Sequence, residues 1–320
     1  LERVINPARL SSLTSATMSR FQADLRAEGM KDTTIAAHLG HLRAALGWAV
    51  SMGFLPKVPD MHKPKRAKGR KLMRGRPVTG EEFDRMVEAA AEVRPHDTAQ
   101  WERFLTGLWL SGLRLEESTV FSWDLDSPFT VDLSGKHPRF RIYAEAEKGH
   151  QDRLLPMTPD FAGFILQTPE ADRHGPVFPL IGLQTGKPIT PKRICRILSK
   201  IGEEARVVVN RDTRTRKQKV DGVVKTVTED VTKYASAHDL RRAFGTRWAP
   251  RVKPATLRLL MRHRSIETTL NYYVALDADE LADELWRTHG PINTSINSRP
   301  NPAPHSAETP SQEKQKPLTR

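Results

Sequence analysis

The sequence predicts a mainly α chain with a small antiparallel β-sheet, an α+β arrangement in which a helical N-terminal module precedes a larger domain. Three observations carry this. Apolar residues recur at helical spacing through much of the first 110 residues and again over 190–205. Between 129 and 157 the pattern changes to short β-branched and aromatic runs separated by turn residues. Two stretches, 57–77 and 291–320, lack periodicity and divide or end the chain. At 320 residues the length fits about two domains. The boundaries read as a helical module over 1–56, a basic linker over 57–77, a main domain over 78–290 and a disordered tail over 291–320.

In order, Met18, Phe21 and Leu25 keep helical spacing between Thr14 and Glu28, and Gly29 is a natural stop. Ile35, Leu39, Leu42, Leu46 and Ala49 step by four and three, the stripe of an amphipathic helix ending near Gly53. A module this small buries too little surface to be very stable alone. In the linker, Lys63, Lys65, Arg66, Lys68-Gly69 and Arg70 crowd together with Pro and Gly, a composition suited to lying along a phosphate backbone. Thr79 opens a helix to about Val93, with Glu81 and Glu82 where the helix dipole favours them. A second helix from Thr98 to Leu110 carries Phe104, Leu105, Leu108 and Trp109. Gly112 breaks it and Arg114 follows, with Glu117 three residues on to pair with it.

Phe129–Leu133, Phe140–Ala144 and Arg153–Met157 read as strands, with Lys148-Gly149 in the turn between the last two. Thr158–Gln167 and Thr190–Ala205 read as helices, the latter starting Thr190-Pro191. Its stripe is Ile194, Ile197, Leu198 and Ile201, and Cys195 beside it is expected in the core. Valine-rich arms at 207–209 and 223–227 flank Arg211, Arg214, Arg216 and Lys217, predicting a long hairpin with a basic, DNA-contacting tip. Asp277 and Glu280 start a last helix ending at Gly290, with Leu281, Leu285 and Trp286 as apolar anchors.

Composition narrows function. The formal charge of +13 and pI near 10 favour a polyanionic partner, nucleic acid first. No run of 18 apolar residues suggests a membrane span, and the N-terminus has no secretory core and begins at Leu1. One cysteine permits neither an intrachain disulfide nor a cysteine zinc cluster. These features fit a reducing cytoplasm, with the chain on the nucleoid. His38 and His41 share a helix face without acidic or cysteine partners at ligand spacing, so no metal is expected. No phosphate-cradling glycine loop ends in Lys-Ser/Thr, so no ATP hydrolysis is expected.

Residues 235–273 hold the densest polar pattern. His238 and Arg241 are three apart, on one helix face; His263 follows a second helical stretch; Tyr272 and Tyr273 come nine and ten residues later. Ser236 and Ser265 are natural N-caps. Cations with imidazoles suit a phosphate, and a phenol beside them suits a nucleophile.

This pattern resembles the tyrosine recombinases, the phage integrase family. The C-terminal boxes stand here as His238-Asp239-Leu240-Arg241, Arg262-His263 and Tyr272. An earlier arginine box matches Ser111-Gly112-Leu113-Arg114-Leu115-Glu116-Glu117, and a hairpin lysine matches Glu147-Lys148-Gly149. The resemblance covers roughly residues 10–290. Arg262 departs from the pattern: the family usually has Gly there. The resemblance implies a core-binding domain, here reduced or trimmed to two helices, and a catalytic domain that cuts and rejoins DNA without metal, ATP or any other cofactor. Tyr272 is the implied nucleophile, Arg114, Arg241 and His263 the phosphate clamp, His238 a general base and Lys148 the acid for the leaving 5′-oxygen. The nearby cations are expected to favour the phenolate. Double-stranded DNA is the implied partner, with a homotetramer on paired sites, accessory DNA-bending proteins, and integration, excision or resolution of a mobile element as the outcome. A type IB topoisomerase-like activity and a catalytically silent DNA-binding protein remain the competing readings.

Overall fold

The computed structural model describes residues 2–64, 75–144, 152–220, 223–273 and 286; side chains are described for all of these except 2–3 and 214–227. The predicted helix Asp277–Gly290, its anchors Leu281 and Leu285, and the tail lie outside the described residues. Trp286 is the exception and is exposed.

After a short α1 (Glu2–Ile5), α2 (Ser15–Ala27) is capped by Thr14, whose hydroxyl accepts from the Thr17 N–H at 3.2 Å. It buries Met18, Phe21 and Leu25 against Ile35, Leu39, Leu46 and Ala49 of α3 (Asp32–Ser51), as the periodicity predicts. Leu13, Leu55 and Met61 close this first apolar cluster. Gly29 ends α2 at φ +84, a left-handed conformation that costs glycine nothing.

The main apolar cluster begins with α4 (Gly80–Val93), which Thr79 and Glu82 cap reciprocally, and α5 (Thr98–Ser111), which buries Trp101, Phe104, Leu105 and Leu108. At Gly112 the chain turns left-handed (φ +58) into α6 (Leu115–Val120). A side chain at 112 would collide with the ring of Phe244, so the turn requires glycine twice over.

The sheet runs β1 (Phe121–Ser122), β2 (Phe129–Asp132), β3 (Arg139–Ile142), β4 (Arg153–Pro156). The last three pair antiparallel, with Val131, Phe140 and Leu155 in register, as the sequence predicts. β1 is an addition: two residues, parallel to β2, continuous with α6 and too short to give a period of its own. Phe121, Phe129 and Phe140 cluster with Phe161 of α7 (Pro159–Leu166), each burial worth on the order of 2–3 kcal/mol.

Two expectations are corrected. Cys195 on α8 (Pro191–Glu204) is exposed rather than core. Ile194, Ile197, Leu198 and Ile201 fill the buried stripe, and Cys195 sits about 100° round from Ile194. The basic segment 211–219 is not a tip. It lies within β5 (Val208–Val220), paired along its length with β6 (Val223–Tyr234). Thr213 and Thr215 face Asp230 and Thr228 across the ladder, and their β-branching suits a strand. Arg214 stands opposite Glu229 in the same register.

Beyond β6 come α9 (Ala237–Trp248), α10 (Pro254–Leu260) and α11 (Ile266–Leu270). Phe244, Ala249, Leu257, Leu260 and Met261 form a third cluster with Tyr272 and Tyr273 packed against it. No helix among the described residues is long and apolar enough to cross a membrane.

Candidate active site

Four segments far apart in sequence converge here: the turn after α5, the start of α9, the α10–α11 connection and the turn after α11. The start of α9 is set by Asp239, fully buried, which accepts from the Ser236 N–H (3.1 Å) and hydroxyl (3.0 Å), Arg242 Nη1 (2.7 Å) and Lys233 Nζ (3.0 Å). Lys233 belongs to β6, so the ion pair ties the helix to the strand feeding it. One residue earlier His238 is exposed, and two later Arg241 is buried. Both line a cleft of about 460 Å³ together with Arg114, Lys192, Cys195 and Ser236.

Arg241 works inside the site as a brace: Nη1 donates to the Gly112 carbonyl and Nη2 to the Met261 carbonyl. These two bonds hold the Arg114 turn and the His263 turn to one guanidinium. Arg114 donates to Glu117 Oε1 (2.5 Å) and to the Arg262 carbonyl (2.9 Å), and its backbone N–H donates to Glu117 Oε2 (2.9 Å). The predicted Arg114–Glu117 pairing is therefore present, with Arg114 still exposed to the cleft.

His263 is half-buried, with Nδ1 3.0 Å from the Thr269 hydroxyl. Its ring lies near parallel to that of Tyr272, with centroids 6.0 Å apart. Tyr272 lies in the turn just past α11 and rests on Gly245 of α9; a Cβ at 245 would penetrate the phenol ring. Tyr273 points elsewhere: its hydroxyl donates to the Val252 carbonyl at 2.6 Å.

Burial dominates the protonation states. It pushes the His263 imidazole down to about 4, with Arg241, Arg114 and Arg262 acting in the same direction. His238 is lowered by burial and then by Arg242, so both rings are neutral at pH 7. Arg241 is lowered to about 9 by burial, then by Arg262 and Arg114, and stays charged at neutral pH. Burial works upward on Glu117, but Arg262 and Arg114 outweigh it and hold the carboxylate at about 2. Tyr272 corrects an expectation. Arg241, Arg242 and Arg114 do favour the phenolate, but burial is the larger effect and the phenol is raised.

Arg114, His238, Arg241, His263 and Tyr272 are thus brought together. Lys148 lies outside the described residues, between β3 and β4, as do Lys65, Arg66, Lys68 and Arg70. Lys63 and Arg211 are exposed; Arg214, Arg216 and Lys217 lie on β5. No group of His, Cys, Asp and Glu suited to a metal occurs among the described residues. Sequence reasoning missed Arg262 as a buried member of the site, along with Arg242 and Thr269. The only signal was an arginine where the resembling family has glycine.

No protein-family model matches the chain, and no curated protein matches it either. Solved structures do. A Tn1549 transposon integrase in complex with a circular intermediate DNA aligns at TM-score 0.58 and 18% identity, over 90% of each chain. A lambda integrase dimer bound to a COC′ core site aligns at 0.56 and 12%, over 85% of this chain and 83% of that one. XerH site-specific recombinase, bound to its palindromic difH substrate in a post-cleavage complex, aligns at 0.55 and 13%, over 87% and 74%. The chain has the fold of these tyrosine-type integrases and recombinases.

Proposed function

We propose that the chain is a site-specific DNA recombinase that cuts and rejoins strands through a 3′-phosphotyrosyl intermediate, without metal or ATP. One observation carries the reading: Arg114 and Arg241, from separate segments, bond to the carbonyls of Gly112, Met261 and Arg262, while His263, the next residue, lies beside the Tyr272 ring. The solved integrases of the same fold, bound to DNA, support it.

The chemistry follows from the groups. Arg114, exposed to the cleft, turns its charge and forked donors toward the non-bridging oxygens of a scissile phosphate, while Arg241, its two Nη groups bonded to the Gly112 and Met261 carbonyls, adds its positive charge from behind. Nδ1 is engaged by the Thr269 hydroxyl, and in the tautomer in which that hydroxyl donates, neutral His263 carries its proton on Nε2 and donates it to the same oxygens. Removing one such preorganised donor typically costs ~10²–10³ in rate. The Tyr272 oxygen attacks phosphorus; its proton passes to a base, for which neutral His238 is suited near pH 7. The 5′-oxygen leaves with a proton from Lys148. The bond energy is conserved in the phosphotyrosine, so a 5′-hydroxyl of a partner duplex reverses the step and completes exchange between paired sites, held by four protomers. The basic linker and the β5–β6 hairpin supply backbone contacts to the duplex.

The test is covalent trapping. The full chain is incubated with a library of nicked duplexes in chelator without ATP, and the DNA remaining attached after denaturation is sequenced. A recurrent site linked through Tyr272, and recombinant products on a two-site substrate built from it, are expected. No adduct, or cleavage that chelator abolishes, overturns the proposal.

A further inference from the structure

Arg262 occupies a position that opposes an arginine in two ways. Its backbone is left-handed at φ +50, where a side chain is strained. Its side chain is 4% exposed, and burial lowers its pKa. A guanidinium kept out of water under strain needs compensating partners. Nε donates to Glu117 Oε2, Nη1 to the Leu260 carbonyl and Nη2 to the Gly112 carbonyl, each at 3.0 Å. Cζ lies 5.3 Å from the centre of the Phe140 ring on β3. The Arg262 carbonyl in turn accepts from Arg114 Nη2 at 2.9 Å, while Glu117 accepts from Arg114 Nη1 at 2.5 Å.

Residues 114, 117 and 262 therefore form a closed ring in which both ends of the Arg114 guanidinium answer to residue 262: one through its carbonyl, the other through Glu117. The charge balance gives the ring a purpose. Glu117 carries one negative charge shared by two guanidiniums, so one net positive charge remains facing the cleft. Without Arg262, Glu117 and Arg114 become a neutral pair. The carboxylate then competes with a bound phosphate for the same fork of donors.

We infer that Arg262 is a positioning residue for phosphate chemistry: it neutralises Glu117 and fixes Arg114, so that the Arg114 charge is available to a scissile phosphate. The inference rests on the reading of this cleft as a DNA-cleaving site. It departs from the resembling family, whose glycine at this position brings no charge to the equivalent of Glu117.

The experiment compares wild type with Arg262→Gly on the duplex recovered by covalent trapping, once with a normal scissile phosphate and once with a methylphosphonate in its place. Glycine adopts φ +50 without strain, so the fold is retained. The expected result is DNA binding within about threefold of wild type and adduct formation slowed ~10²-fold on the phosphodiester. On the methylphosphonate, whose charge is absent, the variant is within about threefold of wild type. Adding Glu117→Gln to Arg262→Gly removes the competing carboxylate and restores at least about tenfold. Should Arg262→Gly fail to fold, Arg262→Lys keeps a cation beside Glu117 without the fork and gives the same selective loss, about tenfold. Equal slowing on both substrates marks a structural role and overturns the inference, as does a phosphodiester rate within about threefold of wild type. A wild-type chain that forms no adduct overturns the reading of the cleft and this inference with it.

Discussion

Two adjacent phenols separate cleanly at the level of single residues. Tyr272 stacks beside His263 and feels three guanidiniums, whereas the Tyr273 hydroxyl is committed to the Val252 carbonyl. Tyr272→Phe is expected to abolish the covalent adduct at unchanged DNA affinity. Tyr273→Phe is expected to keep the adduct and cost about 1 kcal/mol of stability, read from a urea midpoint. An adduct that disappears only in the second variant sinks the assignment. Gly245→Ala is a sharper probe of the same ring. Alanine favours a helix interior by up to ~1 kcal/mol over glycine, yet its Cβ would occupy the space of the Tyr272 phenol. Thermal stability should hold or fall slightly while adduct formation drops at least about tenfold; unchanged cleavage would mean the phenol does not act from this position. The placement of Tyr272 beside His263 could be anticipated because their spacing survives as a number of residues. Arg262 and Thr269 could not, because their roles depend on a left-handed turn and a fold-back that no local period encodes.

Among the elements, helices were the most readable; the β5–β6 hairpin was legible as a hairpin, but its basic stretch read as a tip where it is strand. Met18, Phe21 and Leu25, or Ile194, Ile197, Leu198 and Ile201, announce one buried face at about 3.6-residue spacing. In the described part of β5, Arg211, Asp212 and Thr213 are all exposed in succession, so period 2 has no apolar signal to ride on there. The strand is specified instead by its ladder to β6. Twelve residues of extended chain reach ~40 Å, and a two-stranded ribbon fits the major groove of a duplex. Near its base Asp212 meets Lys31 at 3.3 Å, so the ribbon is also linked to the N-cap of α3. Replacing Arg211, Arg214, Arg216 and Lys217 with Gln should reduce the slope of log affinity against log salt by up to ~0.9 for each DNA phosphate that is no longer neutralised. Titration between about 50 and 200 mM salt measures it. An unchanged slope would place the hairpin away from DNA.

Across the whole molecule, the cleft that gathers charge also sets the pH range in which the fold survives. His263 has a folded value of about 4 against an ordinary 6.5, and His238 is lowered too. Between those limits the unfolded chain binds protons that the folded chain refuses, so stability is complete above pH 6.5 and falls as pH drops toward 4. Glu117, at about 2 instead of 4.5, continues the loss: its contribution is complete above 4.5 and disappears as pH falls toward 2. The two windows barely overlap and can be assigned separately. Calorimetric Tm should decline from pH 6.5 downward. His263→Gln should flatten the upper part of that decline, and Glu117→Gln the part below 4.5. A wild-type Tm that is level from about pH 7 to 4.5 would mean that the His263 imidazole does not sit among guanidiniums in solution. DNA reverses the sign. A phosphate in the cleft stabilises imidazolium and raises both histidines, so binding takes up protons and affinity should increase from about pH 7 to 5, the interval in which the free protein is losing stability. Stability and affinity moving in opposite directions over one pH interval, and both responding to His263→Gln, would tie them to the same group. If the pH dependence of affinity survives that substitution intact, the proton is bound elsewhere.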